Sequence, residues 1–393
     1  MMKIVYLTDN YVSPALGGIA RTTYVLAEAL HHKYGYSCYS VYATPASEQN
    51  ATDNSFFNEQ CLWAGKEQFC SFIRSLGDCI VILQAPCVLA QAVYECQPVL
   101  PKMKIVNVFH GTPGFELVPL NRTIIRYRLK HNIERKWTLK QSLIQCGMQV
   151  LPSSLFRKMI RKKYARPYGK ATKIVVLSRG IIDQYQAIAP GHREDFTVIP
   201  NALPFDNVEI PQNKYANKEV LVVARLDEWH KRIFEVLKIW ERIQADQTFS
   251  EWTLRILGDG IDKPFYQEYV EKKRIPNIIF EGSRNPLPYY TQASLFLLTS
   301  ACEGFPMVLL EAEQCGCIPV IYNSFASAKD ILVNGENGLL VPNNDREAFV
   351  HALKNLMKNE TLRKDMSRQC VISCNRYSVD SIAARWNELL QTI

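Results

Sequence analysis

No stretch of this chain reaches the 18 or more apolar residues that a membrane-spanning helix needs, which predicts a soluble or peripheral protein. The opening residues, Met1 to Asp9, are too short and too soon acidic for a signal peptide. The twelve cysteines are scattered. The closest pairs, Cys315 with Cys317 and Cys370 with Cys374, match no four-ligand zinc spacing, and a chain this long can bury thiols as small apolar residues. A reducing cytosol is the expected setting. No two aspartates stand two residues apart, so one common metal-binding pair is missing. No Gly-x-x-x-x-Gly-Lys-Ser/Thr run is present, which excludes a P-loop nucleotidase. With 18 Gly and 20 Pro, neither a collagen-like nor a linker-rich chain is in question.

What remains is an ordinary globular balance, 47% apolar and 21% charged, over 393 residues. One core rarely serves more than about 250–300 residues, so two domains are expected. The run Lys3–Thr8 is apolar and β-branched, like a strand covered on both faces. Gly17-Gly18 follows, then apolar residues at helical spacing over Ile19–Leu30. Further strands are predicted at Cys79–Leu83, Lys104–Phe109, Gln149–Leu151 or Ile174–Leu177, and Phe196–Ile199. A polar, proline-marked stretch from Pro204 to Lys218 reads as a linker. The alternation then restarts with a strand over Glu219–Ala224 and a helix over Lys231–Ile243. Strands at Leu254–Leu257, Ile278–Phe280, Leu295–Leu298 and Ile318–Tyr322 continue it, with helices at Met307–Gln314, Asp345–Met357 and Val379–Leu390. The pattern predicts an α/β protein of two doubly wound domains, 1–204 and 205–378, whose ligands bind beyond the carboxyl ends of the strands.

Two strand ends carry the candidate chemistry. Arg225 follows one strand and Lys231 opens the next helix, where a cation works against the helix dipole unless it meets an anion. A phosphate or diphosphate held by both cations and the helix start answers that, while solvated turn charges are the plainer reading. The segment Cys302-Glu303-Gly304-Phe305-Pro306-Met307-Val308-Leu309-Leu310-Glu311 follows a second strand. Its glutamates lie eight residues apart, roughly 12 Å along a helix, too far for the carboxylate pair of a retaining glycosidase at about 5–5.5 Å. They are expected to do different work along an elongated ligand.

These features, with Gly17-Gly18, His110-Gly111, Ile199-Pro200-Asn201-Ala202, Gly258-Asp259-Gly260, Phe280-Glu281-Gly282 and Asn337-Gly338-Leu339-Leu340-Val341, resemble glycosyltransferase family 4 in the correct order along nearly the whole chain. The resemblance implies the GT-B fold, two facing Rossmann-like domains with a cleft between them and a final helix (379–393) packing back on the first. It implies that Arg225 and Lys231 neutralise the diphosphate of a nucleotide-sugar donor, and that Glu303 holds the donor sugar with amides of Gly304, Phe305, Pro306–Met307 and Val308. Glu311 is the implied ribose ligand, and Gly282, Ser283 and Arg284 lie along the base. Gly17 and Gly18 approach the diphosphate, and His110 stands near the reaction centre. The chain departs from the family where Ala224, Arg232 and Ala202 replace customary glycines. No cofactor and no metal are implied, which fits the missing aspartate pair.

The function expected is retaining transfer of a sugar from a nucleoside-diphosphate donor, UDP-linked by preference, to an acceptor hydroxyl. A nucleotide-sugar epimerase or hydrolase on the same fold is the enzymatic alternative, and a catalytically silent nucleotide-sugar-binding subunit the other. Charge placement adds a partner. Residues 121–170 hold fourteen basic side chains against Glu134 alone, so this stretch supplies the whole +8 net charge. Interleaved apolar residues, Ile124, Ile125, Trp137 and Tyr164 among them, suggest an amphipathic surface for an anionic membrane and a lipid-linked saccharide acceptor. No nucleic-acid recognition motif accompanies the charge. The expected location is cytoplasmic, peripheral on the cytoplasmic face of the inner membrane.

Overall fold

The computed structural model describes residues 2–14, 17–44, 56–85, 89–118, 120–131, 153–191 and 193–393. In chain order come β1 (Lys3–Asn10), α1 (Ile19–Tyr34), β2 (Ser37–Thr44), β3 (Phe57–Leu62), α2 (Lys66–Leu76), β4 (Cys79–Ala85), α3 (Ala90–Cys96), β5 (Met103–Phe109) and α4 (Arg122–Lys130). They are followed by α5 (Ser153–Ala165), β6 (Lys173–Val176), α6 (Arg179–Ile188), β7 (Phe196–Val198), β8 (Glu219–Val223), α7 (Glu228–Lys231), α8 (Ile233–Gln244), β9 (Thr253–Leu257) and α9 (Lys263–Lys273). Last are β10 (Ile278–Gly282), α10 (Leu287–Gln292), β11 (Leu295–Leu298), α11 (Met307–Gln314), β12 (Ile318–Asn323), α12 (Ala328–Ile331), β13 (Leu339–Pro342), α13 (Arg346–Lys358), α14 (Glu360–Cys374) and α15 (Val379–Thr392). None of the described helices is long and apolar enough to cross a membrane.

The strands form two parallel sheets, in the orders β3-β2-β1-β4-β5-β6-β7 and β10-β9-β8-β11-β12-β13. Each order reverses once, at β1/β4 and at β8/β11, and such a reversal opens a crevice at the strand carboxyl ends. The loops after β8 and β11 carry Arg225, Lys231 and Glu303, so topology alone places these residues at one switch point. Buried on both faces, the central strands are nearly continuous in Val, Ile and Leu, as β8 (EVLVV) and β11 (LFLL) show.

Contacts divide the chain into a first unit of Met1–Pro113, Arg161–Pro204 and Arg376–Ile393, and a second of Gly114–Ile160 with Phe205–Asn375. Within the first, α15 lies against α1, and Leu203 donates its amide to the Tyr377 carbonyl at 2.8 Å. The sequence assigns all of 1–204 to the first domain. Contacts instead group 114–160 with the second, because Leu120, Ile124 and Ile125 of the α4 region join the core of Val220, Leu226, Phe234 and Phe265.

That packing corrects the amphipathic reading at Ile124, Ile125 and Tyr164, while Leu129 stays exposed. Ile124 and Ile125 belong to a core, Tyr164 is buried, and Arg128 is only 4% exposed and ion-paired. Residues 132–152, with Arg135, Lys136, Trp137 and Lys140 and the alternative strand at Gln149–Leu151, lie outside the described residues, as do the side chains of Leu155, Phe156, Arg157 and Met159.

Candidate active site

The turn after β8 is built on glycine. A Cβ on Gly258 would stand 1.9 Å from the Ala224 carbonyl oxygen, and one on Gly260 2.5 Å from that of Leu226. The Gly258-Asp259-Gly260 backbone therefore lies flat against the Arg225 segment, and the Leu226 amide donates to Asp259 O at 2.9 Å. Asp227 caps α7 through the Trp229 amide. Its carboxylate also meets His230 Nδ1 at 3.1 Å and Arg225 Nη2 at 3.3 Å. Burial opposes its ionisation, but His230, Arg225 and the capped amide outweigh burial and hold its pKa below the usual range.

The helix start at Lys231 is a correction. Lys231 ends the one-turn α7, and α8 begins at Ile233 after Arg232 has taken a left-handed conformation with φ +49°. At a helix C-terminus a lysine is favoured by the dipole rather than opposed by it. The end of β11 fixes this turn. Thr299 Oγ1 donates to the carbonyls of Lys231 (3.1 Å) and Arg232 (3.0 Å), and the Ala301 amide donates to His230 O at 2.7 Å. The customary glycine at 232 is explained by its φ, and Arg232 occupies the position with two hydrogen bonds to Asn343 and Asn344.

Because β11 grips that turn, Lys231 Nζ reaches Glu303 Oε1 at 2.5 Å, with both side chains less than one-fifth exposed. Arg225 stays 65% exposed and pairs with Asp227, not with Glu303. Pro306 precedes α11, whose start has no side-chain cap among the described residues, so backbone amides mark it. Gly304, Phe305 and Pro306 are buried, and Met307 and Val308 are partly open. Glu311 is 4% exposed and lies against Tyr290, whose hydroxyl donates to Val308 O at 3.2 Å. Burial, then Glu311, pushes the Tyr290 pKa far up. Gly282 turns with φ +73°, while Ser283 and Arg284 are exposed.

Gly17, Gly18 and His110 belong to the first unit. A Cβ on Gly17 or Gly18 would meet nothing within 4 Å, so what requires glycine at 18 is its φ of +61° with ψ −120° before α1. His110 follows β5 directly, with Nε2 against Gln84 Oε1, and burial drives its pKa down to about 4. At neutral pH the ring is uncharged, with Nε2 donating.

Sequence reasoning missed Arg128. It meets Asp262 through Nε at 2.8 Å and Nη2 at 2.6 Å and approaches Asp227 at 3.5 Å, tying α4 to the Arg225–Lys231 turn. Trp229 adds a bond from Nε1 to Val118 O at 2.7 Å. No local pattern announces a pairing across 134 residues.

A family model, glycosyl transferases group 1, matches residues 206–370, from before β8 into α14, which include Arg225, Lys231, Gly282, Ser283, Arg284 and Glu303 to Glu311 but not Gly17, Gly18 or His110. Over those residues the chain is similar to the group 1 glycosyltransferases. The amylovoran biosynthesis glycosyltransferase AmsD of Erwinia amylovora is 26% identical over 265 residues, 66% of this chain and 72% of that protein. The lipopolysaccharide 1,6-galactosyltransferase of Salmonella typhimurium is 29% identical over 207 residues, covering 51% of this chain and 56% of its own. A structure of S. aureus TarM with fondaparinux, α-GlcNAc-glycerol and UDP superposes with a TM-score of 0.72 at 11% identity, over 99% of both chains. That likeness establishes the GT-B fold.

Proposed function

We propose that this glycosyltransferase moves a hexosyl group, with retention, from a UDP-sugar to a hydroxyl of a lipid-linked or growing surface polysaccharide. The observation that carries the reading is the Lys231–Glu303 pair at the β8/β11 switch point, with Arg225 on the same turn. Lys231 and Arg225 meet the donor diphosphate, and Glu303 with the amides before α11 takes the sugar. Glu311 takes the ribose hydroxyls, and Gly282, Ser283 and Arg284 border the base. His110 acts as a neutral hydrogen-bonding group. The bond from the anomeric carbon to the diphosphate oxygen breaks while the acceptor oxygen bonds on the same face, and the acceptor proton passes to the departing phosphate oxygen. Fixed cations stabilise that leaving group without a metal.

UDP in the TarM complex and the polysaccharide roles of AmsD and the Salmonella enzyme support the donor and acceptor classes. An anionic membrane on the cytoplasmic side is the proposed surface for the exposed basic residues of α5, by charge, since Ile124 and Ile125 of α4 are committed to packing.

Turnover of UDP-, GDP- and ADP-sugars with and without saccharide acceptor tests the reading. Transfer from a UDP-sugar that survives EDTA and falls at least tenfold in Arg225→Ala is expected, since a charge-assisted contact contributes about 1.5–3 kcal/mol. Donor consumption that ignores acceptor would instead make the chain an epimerase or hydrolase, and nucleotide binding without turnover a silent subunit.

A further inference from the structure

A cavity of about 230 Å³ opens beside the Lys231–Arg232 turn, lined by Arg232, Lys238, Asn344, Asn121 and Trp229. Neither Arg225 nor Lys231 lines it, so it is distinct from the proposed diphosphate site. Two carboxylates share its wall, and both are occupied. Glu235 takes Arg346 on both oxygens at 2.7 Å. Glu228 Oε2 accepts from the Phe234 amide and the Tyr266 hydroxyl, each at 2.9 Å.

The cations are not matched. Arg232 donates to the neutral amide oxygens of Asn343 and Asn344, and Lys238 Nζ rests 4.0 Å from the centre of the Phe234 ring. Neither makes an ion pair among the described residues, and burial pushes the pKa of each down. Glu228 and Glu235 attract both cations without direct pairing, burial still outweighs them, and an anion bonded directly to Arg232 and Lys238 relieves that cost. Arg232 also holds a left-handed backbone that glycine would adopt without strain. Two amide groups complete the wall. Asn121 Oδ1 is engaged by the Thr123 amide and Asn344 Oδ1 by Arg232, which leaves each side-chain nitrogen to donate.

We propose that this cavity binds a phosphate group, as the free ion or as the monoester of a small sugar, with Arg232 and Lys238 as its charge partners and Asn121 and Asn344 as donors. Trp229 offers a flat apolar surface for a sugar ring. Because Arg232 follows Lys231 directly, the occupant steadies the turn that presents the catalytic lysine.

The test is calorimetric titration of the full chain with inorganic phosphate and, separately, glucose 6-phosphate, in saturating UDP. One site per chain is expected, weakened at least tenfold in Arg232→Gly and in Lys238→Met. The glycine variant suits the backbone at 232, and unchanged melting confirms its fold. Equal affinities for the two probes assign the free ion, and tighter glucose 6-phosphate assigns the monoester. Absence of binding at millimolar probe, or affinity unchanged in both variants, overturns the proposal. If UDP itself does not bind, the functional reading has failed, and the same titrations on Lys231→Ala decide the cavity independently.

Discussion

At the residue scale, the Lys231–Glu303 pair makes two residues one unit. The sequence assigns them separate partners, a diphosphate and a sugar, but at 2.5 Å each sets the position of the other. Lys231→Ala and Glu303→Ala are each expected to lose at least tenfold in transfer, and the double variant to lose much less than the product. Contacting residues couple by about 0.5–3 kcal/mol. Multiplicative losses would mean that the pair does not operate as a unit. Glu311→Ala, which leaves this pair intact, is expected to weaken UDP binding in calorimetry more than it slows turnover.

Glu228 gives a pH prediction of its own. Burial lifts its pKa from 4.5 to about 7, against the opposing bonds from Phe234 and Tyr266. Between those values the folded chain holds the proton and the unfolded chain does not, so this contribution to stability is full below pH 4.5 and is lost as pH rises through 7. His110 runs the other way. Its contribution is present above pH 6.5 and is lost as pH falls toward about 4. Glu228→Gln keeps the acceptor and removes the titration. Denaturant melts should therefore show the variant gaining on wild type by up to about 3 kcal/mol between pH 4.5 and 7.5. A flat difference would mean that Glu228 titrates normally.

At the scale of elements, strands with continuous β-branched runs were legible, and so were the glycines that end them. β8, β11 and β12 and the start of α11 fall where the pattern predicts. β2 (SCYSVYAT) and β3 (FNEQCL) are too mixed in polarity to stand out, since β3 lies at the sheet edge with one side wet. The break at Arg232 was hidden because a left-handed residue leaves the apolar spacing of α8 intact. The destination of α4 was hidden more deeply. Its helical spacing shows an apolar face, and only tertiary contact shows which core receives it. Removing one member of a buried ion pair costs about 3–5 kcal/mol because the other is left unpaired. Arg128→Leu should thus destabilise the chain by roughly that amount, with Asp262→Asn in the same background restoring part of it. A loss under 1 kcal/mol would leave α4 without its assigned role as an anchor.

At the scale of the molecule, the charge of this chain is segregated. Without residues 121–170 it is net acidic, and within them Glu134 alone opposes fourteen cations. The structure removes part of that excess from solvent, since Arg128 is spent on Asp262 and Asp227. Lys158, Arg161, Lys162, Lys163, Arg166 and Lys170 remain exposed on and after α5. Each basic residue near an anionic lipid surface contributes about 1 kcal/mol, so even half of these six could hold the protein reversibly. With Ile124 and Ile125 committed to a core, the proposed attraction is electrostatic. Screening acts within about 10 Å at 0.1 M salt, so the contact should weaken steeply as salt is raised from that level. Flotation with anionic vesicles is expected to carry the protein up at low salt and release it at 0.5 M, with neutral vesicles carrying none. Replacing Lys158, Arg161, Lys162 and Lys163 by Gln should abolish flotation while leaving transfer to a soluble acceptor intact. Binding that persists in high salt, or that is equal on neutral vesicles, would point to apolar insertion and overturn the electrostatic account.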